Sequence, residues 1–156
     1  MGGYGGASGK ERRKKDGCYK DSEGDKVIDK NAIIAAEYYI DLGMYVVFLH
    51  EDEISRPDLL VDFEFLVEIK GLTSPNPSQI SKQIRKASQQ IEKEHSKYPE
   101  EERLPAKIVL ISLHTDFEVG FHAITEGYKE AKRKDYVHFK TELWINGEIH
   151  ILGEEE

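Results

Sequence analysis

Apolar positions along the chain change rhythm from one stretch to the next. From Asn31 they recur at helical spacing, with Ile33, Glu37 and Ile40 on one face; Asp29 or Asn31 can cap this helix, and Leu42-Gly43 ends it. Residues 44–49, Met-Tyr-Val-Val-Phe-Leu, are a β-branched and aromatic run that predicts a strand, closed by the charged loop His50-Glu51-Asp52-Glu53. Two short apolar runs, 59–61 and 65–67, flank Asp62-Phe63-Glu64 and predict a hairpin. After a loop at 73–78, in which Asn76 or Ser78 can act as cap, a helix to about His95 carries the stripe Ile80, Ile84, Ala87 and Ile91. Residues 92–103 are acidic and irregular, with Pro99 and Pro105 excluding a continuous helix. Residues 107–113 read as an interior strand, parallel to its neighbour because the long helix crosses over. A second covering helix is expected over 117–134, interrupted by Gly120 and Gly127. Residues 136–139 and 142–145, with Asn146-Gly147 as a type I′ turn into 149–152, predict a terminal hairpin. The sum is an α/β fold, a mixed central sheet flanked by helices.

Composition narrows the setting. A chain of 156 residues, 38% hydrophobic, buries one core. The pattern assigns it to residues 29–153, between a Gly/Lys-rich linker or tail at 1–28 and an acidic tail at 154–156. No apolar run approaches the roughly 20 residues of a membrane helix, and Met1-Gly2-Gly3-Tyr4-Gly5-Gly6 lacks the apolar segment of a signal peptide. Cys18 is the only cysteine, which excludes an internal disulfide and a cysteine-built zinc site. His50, His95, His114, His122, His138 and His150 show no metal-ligand spacing and read as structural or solvated. Net charge is −8, although residues 1–30 hold more basic than acidic groups and their Lys10-Glu11-Arg12-Arg13-Lys14-Lys15 cluster can serve as a basic arm. Such acidity argues against non-specific nucleic-acid binding and leaves room for a local basic stripe. It also suits a domain held by a charge-complementary partner.

Chemistry concentrates in and around the hairpin, where Asp58, Glu68 and Lys70 interrupt apolar runs. If the reversal centres on Phe63, Asp58 lies opposite Glu68, and directly opposed residues have Cβ atoms about 5 Å apart. Period-two alternation adds Lys70 to the same face. Two acids and an amine at a sheet edge suit a divalent metal and a water, the apparatus of phosphodiester hydrolysis; the other reading is a hairpin with ordinary surface charges. A step of about 100° per residue puts Glu37 about 40° from Ile33, inside the apolar stripe, where an acid needs a partner. Alternatively Glu37 reaches water at the stripe edge, or Asp41, one turn later, is the acid that matters. On the later helix Gln79, Lys82, Gln83, Lys86 and Gln90 lie between about 200° and 300° from Ile80. That flank suits phosphate oxygens and base or sugar edges, or is a wet helix face.

Pro57-Asp58 followed by Glu68-Ile69-Lys70 resembles the PD-(D/E)XK signature of restriction-endonuclease-like nucleases. The order of elements from Asn31 to about Ile91 is more specific. It resembles the nuclease domains at the C-termini of bacterial polymorphic toxins, including contact-dependent inhibition tRNases. In those domains an acid-bearing helix leads into a strand, the PD hairpin and a helix of the pattern K-Q-I-R-K-A-x-x-Q, here Lys82-Gln83-Ile84-Arg85-Lys86-Ala87-Ser88-Gln89-Gln90. One departure is the turn, which has no glycine or asparagine to pin the register. The resemblance implies a restriction-endonuclease-like core in which Glu37 joins Asp58 and Glu68 as a third carboxylate on one Mg²⁺-like ion. It implies tRNA or another structured RNA as substrate. It also implies delivery within a larger secreted or cell-surface toxin that acts in the target-cell cytoplasm, and a cognate immunity protein that blocks the site. Lys70 would orient or deprotonate the attacking water, or offset charge on phosphorus; with RNA an internal 2′-hydroxyl can attack instead. The alternatives are a metal-dependent DNA endonuclease and a catalytically silent nucleic-acid-binding module on the same fold.

Overall fold

The computed structural model describes residues 30–49, 57–113 and 116–153. The linker at 1–28, Asp29, the charged loop at 50–53, His114 and the acidic tail lie outside the described residues. The elements are helix α1 (Lys30–Asp41), strands β1 (Val46–Phe48), β2 (Leu59–Val61) and β3 (Phe65–Leu72), helix α2 (Pro77–His95), a 3-10 turn (Glu100–Glu102), β4 (Ala106–Ser112), helix α3 (Phe117–Arg133), β5 (Lys140–Ile145) and β6 (Glu148–Leu152). The strands form one mixed sheet in sequence order, parallel at β3/β4 and β4/β5 and antiparallel elsewhere. The parallel steps are those that α2 and α3 bridge, as a parallel pair requires a crossover.

Helices cover both faces, and each face has its own core. Ala32, Ala35, Ala36, Tyr39 and Ile40 of α1 pack on Val67, Ile69, Val109 and Ile111. Ile80, Ile84, Ala87 and Ile91 of α2, with Ala123, Ile124, Tyr128 and Ala131 of α3, pack on Leu72, Ile108, Leu110 and Leu143. A strand covered on both faces reads as a continuous apolar run, and β3 does so from Leu66 to Ile69 except at Glu68. The fold therefore buries that acid. The glycines of α3 are packing positions: a Cβ on Gly127 would stand 2.7 Å from the Ile80 side chain and 3.0 Å from the Pro77 carbonyl. Asn76 caps α2 through the Ser78 N–H, and Asp116 caps α3 through the Val119 N–H.

Two expectations need correction. The run 44–49 pairs only over Val46–Phe48, because the Met44 N–H is taken by the Tyr39 carbonyl and the Tyr45 N–H by Asp62 Oδ1. Residues 136–139 form no strand. The Tyr136 N–H bonds the Ala131 carbonyl, its carbonyl accepts from Ser88 Oγ, and a cap-like connection results. The terminal hairpin across Asn146-Gly147 is present as expected, and its strand β5 also pairs in parallel with β4 inside the sheet. The Asn146-Gly147 turn itself has the positive φ values, 56° and 80°, that a type I′ turn demands.

Candidate active site

The hairpin register follows from its turn. Leu59 pairs with Val67, Leu60 with Leu66 and Val61 with Phe65, so the reversal centres on Phe63 and brings Asp58 opposite Glu68. Asp62 and Phe63 both take left-handed φ values, 53° and 55°, without a glycine. Tyr45 holds them there: its N–H bonds Asp62 Oδ1 at 2.8 Å, its carbonyl accepts the Asp62 N–H at 2.7 Å, and its ring stacks on Phe63 at 5.7 Å. Aspartate tolerates this region better than most residues. Neighbouring β1 thus pins the register that the turn sequence leaves open.

Asp58 is fixed at the entry of β2 by two bonds to β3. Its N–H donates to the Val67 carbonyl at 3.1 Å, and its Oδ2 accepts the Ile69 N–H at 2.8 Å. Glu68 lies beside it with only 2% of its surface exposed. Lys70 Nζ stands 3.3 Å from Glu68 Oε2 and donates to Gln90 Oε1 of α2 at 2.9 Å. Burial first, then the charge of Asp58, pushes the Glu68 carboxyl well above the usual carboxylate range, and Lys70 opposes this only in part. Glu68 Oε1 is buried with no hydrogen-bond partner among the described residues. A shift in this direction favours the neutral carboxyl, and a cation at the site would favour the ionised form.

Asp58, Glu68 and Lys70 are therefore gathered, and Gln90 joins them rather than lining an outer flank. Gln79, Lys82 and Lys86 are exposed on α2 and Gln83 is half-buried. Glu37 does not fall in the apolar stripe of α1, whose buried face is Ala32, Ala35, Ala36, Tyr39 and Ile40. Helical geometry sets it on the flank opposite Tyr38, which packs on Trp144 of β5 at 4.8 Å. That flank looks toward β1 and β2, from a helix on the sheet face opposite α2. Among the described residues no three His, Cys, Asp or Glu side chains form a metal-holding group.

Two of the described histidines, His95 and His138, bond to neighbouring groups, while His150 Nε2 is buried without a hydrogen-bond partner among the described residues. His95 pairs with the Leu104 carbonyl at 2.8 Å, and His138 pairs with Glu92 and with the Asp135 carbonyl. The bond to Glu92 above all raises the His138 pKa from its usual 6.5. A second polar cluster went unread in the sequence. On the α1 face Lys107 Nζ pairs with Glu142 Oε2 at 3.0 Å, Trp144 Nε1 donates to Glu142 Oε1 at 3.1 Å, and the Lys107 ammonium lies over the Tyr39 and Phe65 rings. Its signal was available: Lys107 and Glu142 interrupt apolar strands just as Glu68 does. No protein-family model, curated protein or solved structure matches this chain.

Proposed function

We propose that the chain is a PD-(D/E)XK-type nuclease that hydrolyses phosphodiester bonds in RNA, with tRNA the preferred substrate. The observation that carries this reading is the convergence of Asp58 on a buried Glu68 carboxyl beside Lys70. Two carboxylates suit a hard divalent cation such as Mg²⁺, which is commonly held by one or two protein carboxylates together with waters and substrate phosphate. Asp58 and Glu68 would hold it, and bound there it would supply positive charge for the scissile phosphate. The remaining work belongs to the chain. Lys70, held by Gln90, presents an ammonium group beside the reacting centre, where it orients the nucleophile or offsets charge developing on phosphorus. Exposed Lys82 and Lys86 supply phosphate contacts along α2. The resemblance to polymorphic-toxin nucleases extends the proposal. The domain would act as a toxin delivered from a secreted or cell-surface parent protein and would be restrained by a cognate immunity protein.

The test incubates the protein with total bacterial RNA and with plasmid DNA, in Mg²⁺ or EDTA, beside Lys70→Ala and Glu68→Gln. Discrete tRNA-sized fragments, lost in both variants and in EDTA, are expected. DNA nicking instead would make the protein a DNA endonuclease, and no cleavage of either by folded wild type would sink the catalytic reading.

A further inference from the structure

β6 ends the sheet: β5 pairs with one of its edges and, among the described residues, no strand pairs with the other. The Asn146-Gly147 turn decides what that edge offers. In a two-residue hairpin the residues flanking the turn exchange both hydrogen bonds, so Glu148, His150 and Leu152 bond inward to Ile145, Leu143 and Thr141. Ile149 and Ile151 then turn their N–H and C=O groups outward. Their side chains are 38% and 43% exposed, and the strand Glu-Ile-His-Ile-Leu contains neither proline nor lysine to discourage pairing.

Beside this edge α3 and β6 frame a groove of about 1020 Å³. Phe121, Tyr128 and Leu152 give it an apolar lining, and Lys129, Lys132 and Arg133 line it from the last turns of α3. We propose that edge and groove together dock an extended acidic segment of a partner protein. The segment adds to β6 as a seventh strand, sets alternate apolar side chains against the groove and brings its carboxylates to the three cations. Two other occupants fit less well. A nucleic-acid strand would use the cations but leave the outward N–H and C=O groups of Ile149 and Ile151 unpaired, and a second copy's β6 offers three cations one carboxylate, Glu148. The docking is independent of the nuclease reading.

The probe is a fluorescein-labelled peptide of about eight residues, a typical strand length, alternating glutamate and valine. It is titrated against the full chain by fluorescence anisotropy, with hydrogen exchange read at the Ile149 and Ile151 amides. Saturable binding that slows exchange at both amides is expected, weakened about tenfold or more by Lys132→Glu/Arg133→Glu and when lysine replaces glutamate in the peptide. Ile151→Pro should weaken it similarly, because it removes an outward N–H and leaves the β5 ladder intact. Should that variant not fold by circular dichroism, the charge-reversal variant decides alone. Four results overturn the proposal: no saturable binding; binding without amide protection or indifferent to charge reversal; an oligouridylate that protects the same amides in place of the peptide; a dimer that protects them with no peptide present.

Discussion

Glu68 is the residue at which fold and chemistry pull apart. β3 must be apolar on both faces to serve two cores, and an acid at its centre is destabilising unless it stays protonated or gains a cation. Because its folded pKa is raised, the folded state holds a proton that the unfolded chain releases. That contribution is fully present below the ordinary value of 4.5 and is lost as pH rises toward the folded value. Urea unfolding without divalent metal should therefore show wild-type stability falling across that window. Glu68→Gln should flatten the fall and be the more stable protein at its alkaline end by about 1 kcal/mol or more, the scale of an incompletely paired buried group. Added Mg²⁺ should restore stability to wild type and not to Glu68→Gln, as expected of a ligand bound only by the ionised folded state; equal responses would remove Glu68 from the cation site. Lys107 and Glu142 pose the opposite case, a pair already satisfied inside the α1 core. Lys107→Met strands the acid and should cost about 3 kcal/mol, the lower part of the range for breaking a buried pair, because the Lys107 side chain keeps 19% exposure. Adding Glu142→Gln, which preserves an acceptor for Trp144, should recover most of that loss. Failure to recover would mean that Lys107 acts through its packing over Tyr39 and Phe65.

Helices and hairpins show which parts of the fold were local decisions. The stripe Ile80, Ile84, Ala87, Ile91 and the Asn76 cap specify α2 from within the element, and Asn146-Gly147 specifies its turn by its own φ preferences. Pairing across distance was less legible. The short β1 and the missing strand at 136–139 depend on bonds from Asp62 and Ser88, which no period in those stretches announces. The candidate site divides along the same line. Asp58, Glu68 and Lys70 follow from alternation and a turn centre, whereas a stripe of isoleucines left the place of Glu37 open, its site role came only from the family resemblance, and alanines carry most of the buried face of α1. Small residues admit close helix-to-sheet contact, and a hydrophobic rhythm weighted by size misses them. Gly127 makes the same point between helices. Alanine there has the better helix propensity by about 1 kcal/mol, yet its Cβ would meet Ile80 at 2.7 Å. Gly127→Ala should therefore destabilise by about 1–3 kcal/mol, the usual cost of overpacking. Ile80→Gly in the same chain, which removes both the Cβ and the Cγ2 that stand 2.7 Å from the added methyl, should relieve most of the cost of Gly127→Ala in a double-mutant cycle. Additive losses would instead assign the cost to the Pro77 carbonyl, 3.0 Å away.

At the scale of the whole molecule, charge is what the proposed nucleic-acid substrate would have to negotiate. A protein at −8 repels phosphate at long range, so binding has to come from a few positioned cations within short reach. On α2 the supply is limited. Lys70 of β3 is held by Gln90 and Glu68, and the Arg85 guanidinium sits over the Tyr136 ring at 5.3 Å, so that of the exposed lysines of α2, Lys82, Lys86 and Lys93, the first two are the proposed phosphate contacts. Each phosphate neutralised on a single strand contributes a slope of about −0.7 to the logarithm of affinity against the logarithm of salt, so two lysines give roughly −1.4. Screening of the acidic body works the other way, because added salt relieves repulsion, and the measured slope should be shallower than that. Fluorescence titration of the Glu68→Gln variant, which the proposed mechanism expects not to cleave, with tRNA over a range of KCl concentrations reads the slope directly. Lys82→Ala/Lys86→Ala should bring it to about zero while leaving the unfolding midpoint unchanged, since both side chains are solvent-exposed. A slope steeper than about −4, which takes six or more phosphate contacts, would require a basic surface other than α2. The substrate path would then have to be sought at the basic cluster of residues 10–15 or at the α3 end, where the same three cations cannot serve an acidic partner strand and an RNA at once.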